Sequence, residues 1–142
     1  MVPLIYNLIH RLNLPITDKN IRTLEQMDEM LLSKIMGCDA NTSNIFKYLE
    51  LGVCPVRFEI KKRKILFLHY LLQEAHSTIV YKVLQATIKN PIKNDFVQTC
   101  EKYLSELNIN LTFKQFGNLS KWSVRKLVKH KVNEAVFIYL QE

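Results

Sequence analysis

Glycine and proline are scarce in this chain of 142 residues, which contains three Gly and four Pro. A β-sandwich or a β-barrel normally needs more turn residues than that to connect its many short strands. Apolar residues make up 48% and charged residues 23% of the sequence, which is ordinary globular composition and excludes a disordered or low-complexity chain. The composition therefore favours a globular protein built from helices.

Cysteine is also rare. The three cysteines, Cys38, Cys54 and Cys100, are odd in number, and no two of them are three residues apart. These facts exclude a disulfide framework and the paired cysteines of a zinc site. We therefore expect buried or free thiols in a reducing compartment, which is the nucleus or the cytoplasm.

Long hydrophobic runs are missing as well. The longest apolar run, near residue 67, is interrupted by His69 and falls well short of the ~18–20 residues of a membrane-spanning helix. The apolar residues 1–6 lack the basic leading region and the small-residue cleavage site of a signal peptide. We expect neither a signal peptide nor a membrane partner.

Positive charge is present in excess and is unevenly distributed. Twenty Lys and Arg against 13 Asp and Glu give a formal net charge of +7. Residues 1–53 contain 5 basic and 6 acidic residues, whereas residues 54–142 contain 15 basic and 7 acidic residues, a net charge of +8. Such asymmetry predicts an anionic partner, nucleic acid first and a membrane surface second, with a merely solvated surface as the alternative. A membrane surface is disfavoured because the basic stretches lack the clean, aromatic-rich apolar face of a membrane-binding helix.

Apolar residues recur at intervals of three and four along most of the chain, which is the pattern of amphipathic helices. The clearest predicted helix runs from Thr17-Asp18 to Gly37, where glycine provides a left-handed cap. The face predicted to point inward consists of Ile21, Leu24, Met27, Leu31, Leu32 and Ile35. The acidic residues expected largely on the outward side are Glu25, Asp28 and Glu29.

Seven more helices are expected, and the chain is predicted to be an all-α compact bundle of about six to eight short-to-medium helices. The first three are placed at 4–12, from Thr42 or Ser43 to Gly52, and from Pro55 to about Glu74. The next three run from Ser77 to Asn90, from Asn94 or Asp95 to Leu107, and from Thr112 to Gly117. The last helix begins at Ser120. The helix from Pro55 is basic in its first half, which we expect to be solvated, and apolar in its second half. Expected inward residues of the Ser77 helix are Ile79, Val80, Val83, Leu84 and Ile88, and those of the last helix are Val124, Leu127, Val128, Val132, Ala135 and Val136.

Residues for catalysis are not brought together by any recognisable spacing. The four histidines are scattered, and His69, inside an apolar helix, is expected to be a hydrogen-bonded core residue. No glycine-rich phosphate loop and no nucleophile motif is present. We therefore predict a protein that is not an enzyme and that needs no cofactor and no metal.

Two rows of basic residues follow helical spacing and are the predicted nucleic-acid-binding site, because such rows are able to follow phosphates along a strand. The first row is Arg57, Lys61 and Lys64, with Lys62 and Arg63 beside it, and the second is Lys121, Arg125 and Lys129, with Lys126 and Lys131 beside it. Trp122 lies within the second row. The sequence favours a core position for Trp122 over a ring that stacks on a base.

The order of residues also resembles a segment of non-LTR (LINE-like) retrotransposon polyproteins. Residues 48–64 and 66–72 contain, in order, Y-L-E-x-G, x-P-x-R-F-x-I, a basic pair and L-H-x-x-L. Further similar stretches lie at 28–32, 41–44, 93–96 and 119–123, so the resemblance covers roughly residues 16–142. Residues 1–15 diverge from it. The expected organisation is thus a divergent segment at 1–15 and a single helical domain at 16–142.

The resemblance implies the region that follows the palm of a reverse transcriptase, from the thumb toward the C-terminal linker. The Y-A-D-D aspartates of the palm have no counterpart in this sequence, and no zinc knuckle follows, so the resemblance implies a non-catalytic fragment that grips duplex phosphates of RNA or DNA. It also implies a possible partner polypeptide, such as the missing polymerase palm.

Other functions remain open from the sequence. The second hypothesis is a protein-interaction or structural module, for which the acidic helix at 18–36 and the apolar N-terminal residues Val2, Leu4, Ile5 and Leu8 would provide the contact surface. The chain would otherwise be a retroelement remnant without function.

Overall fold

The computed structural model of the protein describes residues 18–38, 43–90, 92–93 and 95–141. These residues form helices and contain no strand. The helices are α1 (Asp18–Met36), α2 (Asn44–Leu51), α3 (Val56–Leu72), α4 (Ile79–Lys89), α5 (Phe96–Glu106), α6 (Phe113–Asn118) and α7 (Lys121–Gln141). The all-α prediction is confirmed. The helix predicted at 4–12 and the apolar residues named at the N-terminus lie outside the described residues.

Helix ends lie where the sequence places stop and start signals. Gly37 and Gly52 directly follow α1 and α2 and have φ values of 64° and 62°. Each therefore adopts the left-handed conformation that commonly ends a helix. Thr112 and Gln115 form the predicted capping box of α6, with both reciprocal hydrogen bonds present. The N-cap of α4 is Thr78 rather than Ser77, since its side chain accepts a hydrogen bond from the Tyr81 N–H.

The helix α3 is the centre of the bundle, and it packs against α1, α4, α5, α6 and α7. Its apolar half, with Ile65 and Leu68, is buried against α5, α6 and the valines of α7. His69 is buried there too, with Nε2 2.9 Å from the carbonyl oxygen of Leu119. The expectation of a hydrogen-bonded core histidine is confirmed.

The basic half of α3 does not lie in solvent, which corrects the sequence prediction. Val56, Phe58 and Ile60 in this half are all buried. Val56 and Ile60 form a second small core with Ile21 and Leu24 of α1. The physical reason is that α1 packs across this half of α3, so the basic side chains must leave the bundle between neighbouring helices.

The orientation of α1 also differs from the prediction. Met27, Leu31 and Ile35 were expected inside and are exposed, whereas Glu25 was expected outside and is buried. An ion pair between Glu25 and Arg57 of α3 holds the acidic edge of α1 toward the bundle. Part of the apolar edge of α1 is thereby turned to solvent.

The inward face predicted for α4 is only partly correct. Leu84 is buried and Ile88 packs against the core, but Ile79, Val80 and Val83 are exposed, Ile79 to 79%. Because α4 is a peripheral helix that packs against α3 on one side, the bundle covers only part of its wide apolar face.

None of the described helices has the length and apolarity needed to cross a membrane.

Candidate nucleic-acid interface

The first basic row begins with Arg57, which is tied to α1. Its Nε and Nη2 atoms donate hydrogen bonds of 2.7 Å and 3.2 Å to the two carboxylate oxygens of Glu25. The guanidinium carbon also lies 5.3 Å from the ring centroid of Tyr139 in α7. This hydrogen-bonded pair raises the pKa of Arg57 further above its ordinary value. Arg57 therefore connects three helices through one side chain.

Two more residues of this row also have acidic partners within the protein. The Lys61 ammonium lies 2.6 Å from a carboxylate oxygen of Glu106 in α5, and 5.3 Å from the ring centroid of Phe58. The Arg63 Nε donates to Glu59, one turn earlier in α3, at 2.8 Å. In these pairs, carboxylates of the protein itself neutralise the positive charges that were predicted to bind phosphates.

The last two residues of the row are recessed. Lys64 is only 4% exposed, and its ammonium lies 5.6 Å from the ring centroid of Phe96. Burial lowers the pKa of Lys64, because a desolvated ammonium is less stable in its charged form. Lys62 is half-buried. The structure thus keeps these five residues along one helix but gives them no common open face.

The second basic row lies on α7 and has the opposite character. The buried face of α7 consists of Val124, Val128 and Val132, which anchor the helix in the core. Four cations of the same helix are exposed, namely Lys121, Arg125, Lys126 and Lys129. Within the described part of the chain, no carboxylate lies at ion-pair distance from any of these four. Their charge is therefore available to an external anion.

The geometry of this row follows from helical spacing. At 100° per residue, the four cations fall within an arc of about 140° around the α7 axis. From Lys121 to Lys129 the helix rises about 12 Å, which corresponds to three or four phosphates of one strand at about 3.4 Å of axis each. We call these four residues the α7 basic face.

Lys131 lies apart from the α7 basic face. Its ammonium is 3.7 Å from Glu134, which also lies 2.9 Å from Nε2 of His130. Lys131 is half-buried, and its helical position lies about 80° outside the arc of the four cations, on the side of Lys121. The structure therefore does not group Lys131 with the four exposed cations.

Trp122 is on the surface, so the interpretation that favoured a core position is wrong. The residue is 70% exposed, and the Lys126 ammonium lies 4.9 Å from the centroid of its ring. The physical reason is its register: Trp122 precedes the buried Val124 by two residues, which is about 200° around a helix. It projects beside the α7 basic face.

The partner of Arg57 is a residue that sequence reasoning missed. Glu25 was assigned to the outward face of α1 from helical periodicity alone. A signal for the pairing was present, since an acidic helix precedes a helix with a basic half, and opposite charges on neighbouring helices attract. Among the residues that the structure describes, no group of three or more His, Cys, Asp or Glu is placed to hold a metal ion.

No protein family, curated protein or solved structure matches this chain. The resemblance to retrotransposon polyproteins therefore stays a prediction. The functional argument rests on the two rows of cations and on the surface around Trp122.

Proposed function

We propose that this protein is a non-catalytic helical module that binds nucleic acid through the phosphates of its backbone, using the α7 basic face. The observation that carries the proposal is a set of four exposed cations without described acidic partners on one arc of a helix. The buried valines of α7 hold the helix backbone in the core, so little backbone conformational freedom is lost on binding. The resemblance to the thumb region of a retrotransposon reverse transcriptase supports the same proposal.

The site differs in one respect from the sequence hypothesis. Arg57, Lys61 and Arg63 are engaged by carboxylates of the protein itself, and Lys64 is buried. A phosphate would have to displace those partners, whereas nothing of the kind opposes it at α7. We therefore assign phosphate binding to α7 and a structural role to the row on α3.

The proposal predicts a measurable salt dependence. Four phosphate contacts give a slope of log K against log salt of about −3.6 for duplex DNA and about −2.8 for a single strand. Fluorescence anisotropy with a labelled oligonucleotide, titrated at several salt concentrations, measures this slope. Absence of binding at low salt would contradict the proposal.

A double variant separates this site from general charge. Arg125→Gln with Lys129→Gln removes two contacts, so the duplex slope falls to about −1.8 and affinity at about 0.1 M salt falls roughly sixtyfold. The matched control is Lys82→Gln with Lys114→Gln, which removes the same charge from exposed positions elsewhere. Equal losses in both variants would show a non-specific effect of net charge. Primer extension with Mg²⁺, which we expect to be absent, tests the non-catalytic part of the proposal.

A second candidate function, binding of a partner polypeptide, is favoured by the exposed apolar edge of α1. Met27, Met30, Leu31 and Ile35 are all exposed on this edge, and methionine side chains adapt well to apolar partners. The occupant that fits is an apolar helix face of another polypeptide, such as a polymerase palm. Sedimentation as a clean monomer that binds no anilinonaphthalene sulfonate would count against an available apolar surface.

A further inference from the structure

The exposed ring of Trp122 has no role in phosphate binding as such. A tryptophan buries a large apolar area when it packs in a core, yet this one remains 70% exposed. It lies in the first turn of α7 beside Lys121, and the Lys126 ammonium lies 4.9 Å from its ring centroid. An aromatic surface and the α7 basic face are thus presented together.

The chemistry of this pair of features selects a ligand. A phosphate oxygen gains nothing from an aromatic ring, but a nucleobase has a flat π-face that stacks on one. In a duplex those faces are covered by neighbouring base pairs, whereas in a single strand they are accessible. Proteins that bind single strands combine a basic track for the backbone with aromatic rings for the bases.

We infer that Trp122 is a stacking platform for an unpaired base, and that the protein prefers single-stranded nucleic acid to duplex. This inference rests on the proposed phosphate binding at the α7 basic face and adds the class of nucleic acid. The Lys126 ammonium lies over one face of the ring, 4.9 Å from its centroid, so the base stacks on the opposite face. The ring binds the base while the four cations bind the backbone.

The chain contains a single tryptophan, so its intrinsic fluorescence reports on this site alone. We would titrate the protein with an oligothymidylate of about twelve nucleotides, within the site sizes of single-strand binders. An abasic oligomer of the same length provides the same phosphates without bases. The expected result is strong quenching with oligothymidylate, little quenching with the abasic oligomer, and affinity for the former higher by about 5-fold to 150-fold, the equivalent of one stacked base.

The Trp122→Ala variant tests the residue directly. Anisotropy should show that it binds both oligomers equally, at the affinity that the wild type has for the abasic one, and Trp122→Tyr should restore part of the difference. Because the side chain is exposed, we expect the helical circular dichroism and the urea midpoint of both variants to match the wild type.

The two proposals fail in different ways. If the wild type binds the oligothymidylate and the abasic oligomer with equal affinity and without quenching, the stacking inference is wrong and phosphate binding stands. Tighter binding to a duplex of equal length would also overturn the inference. If neither oligomer binds at low salt, both proposals are wrong.

Discussion

Arg57 provides the sharpest test of how the two basic rows differ, because the structure assigns it to stability and the sequence alone assigned it to phosphate binding. Its guanidinium makes two hydrogen bonds to the Glu25 carboxylate, whose side chain is 12% exposed, while the Arg57 side chain is 37% exposed. Replacement by methionine keeps the aliphatic stem that packs between helices and removes the charge.

The cost of Arg57→Met follows from the contacts that are lost. Hydrogen bonds to charged groups contribute about 1.5–3 kcal/mol, and a cation over an aromatic ring contributes about 0.5–1 kcal/mol at an exposed site. Because Arg57 is more than one-third exposed, solvent screening places the total near the lower end, at about 2 kcal/mol. For a domain of this size that loss lowers the melting temperature by roughly 4–8 °C.

The assay is urea unfolding followed by circular dichroism, with oligonucleotide anisotropy on the same preparations. We expect the unfolding free energy of Arg57→Met to fall by about 2 kcal/mol, with the affinity of the folded protein unchanged within about threefold. The double variant with Glu25→Met should recover most of the stability, because both charges of a buried pair are then removed together.

A matched control is Arg57→Lys, which keeps the positive charge but loses the two-pronged hydrogen bonding of the guanidinium. It should lose about 1 kcal/mol of stability and no affinity. The reasoning is refuted if Arg57→Met unfolds like the wild type and binds nucleic acid tenfold more weakly. That result would make Arg57 a phosphate contact.

Three further predictions concern stability. Leu32→Ala should cost about 2–4 kcal/mol because Leu32 is buried, whereas Ile35→Ala, on the exposed edge of the same helix, should stay within about 0.5 kcal/mol in urea unfolding. Thr112→Ala should cost about 1 kcal/mol by the same measurement, because it removes the capping box of α6. Burial raises the pKa of Cys54 to about 11 and of Cys100 to about 12, above the ordinary thiol value of 9.0. The folded state therefore holds these thiol protons more tightly than the unfolded state, so unfolding free energy should be intact below about pH 9 and fall as the pH rises toward about 12. Cys100→Val should remove part of that fall, and an equal fall in the variant would contradict the assignment.

The local structure was largely accessible from the sequence. Gly37, Gly52 and the Thr112 capping box end or begin helices where they were expected to, because these signals act within a few residues of themselves. The core position of His69 was also predictable, because the helix segment around it is apolar on all of its faces and such a segment is normally buried. Boundaries shifted by a residue or two, as at Thr78.

The rotation of peripheral helices was not accessible in this way. Periodicity shows which residues of α1 and α4 share a face, but both helices carry more apolar surface than their neighbouring helices cover. Which part is covered then depends on the neighbour. At α1 the choice follows from the charged pair of Glu25 with Arg57, which is 32 residues distant in sequence.

The sequence by itself determined that this protein is helical, where its helices start and stop, and that its cations fall into two rows with helical spacing. Only the tertiary structure decided which row faces outward. Spacing along a helix is set by backbone geometry within a few residues, whereas the exposure of a charge depends on what packs against it from elsewhere in the chain. Helices α1 and α5 bring carboxylates to the row on α3, while four of the cations on α7 stay exposed.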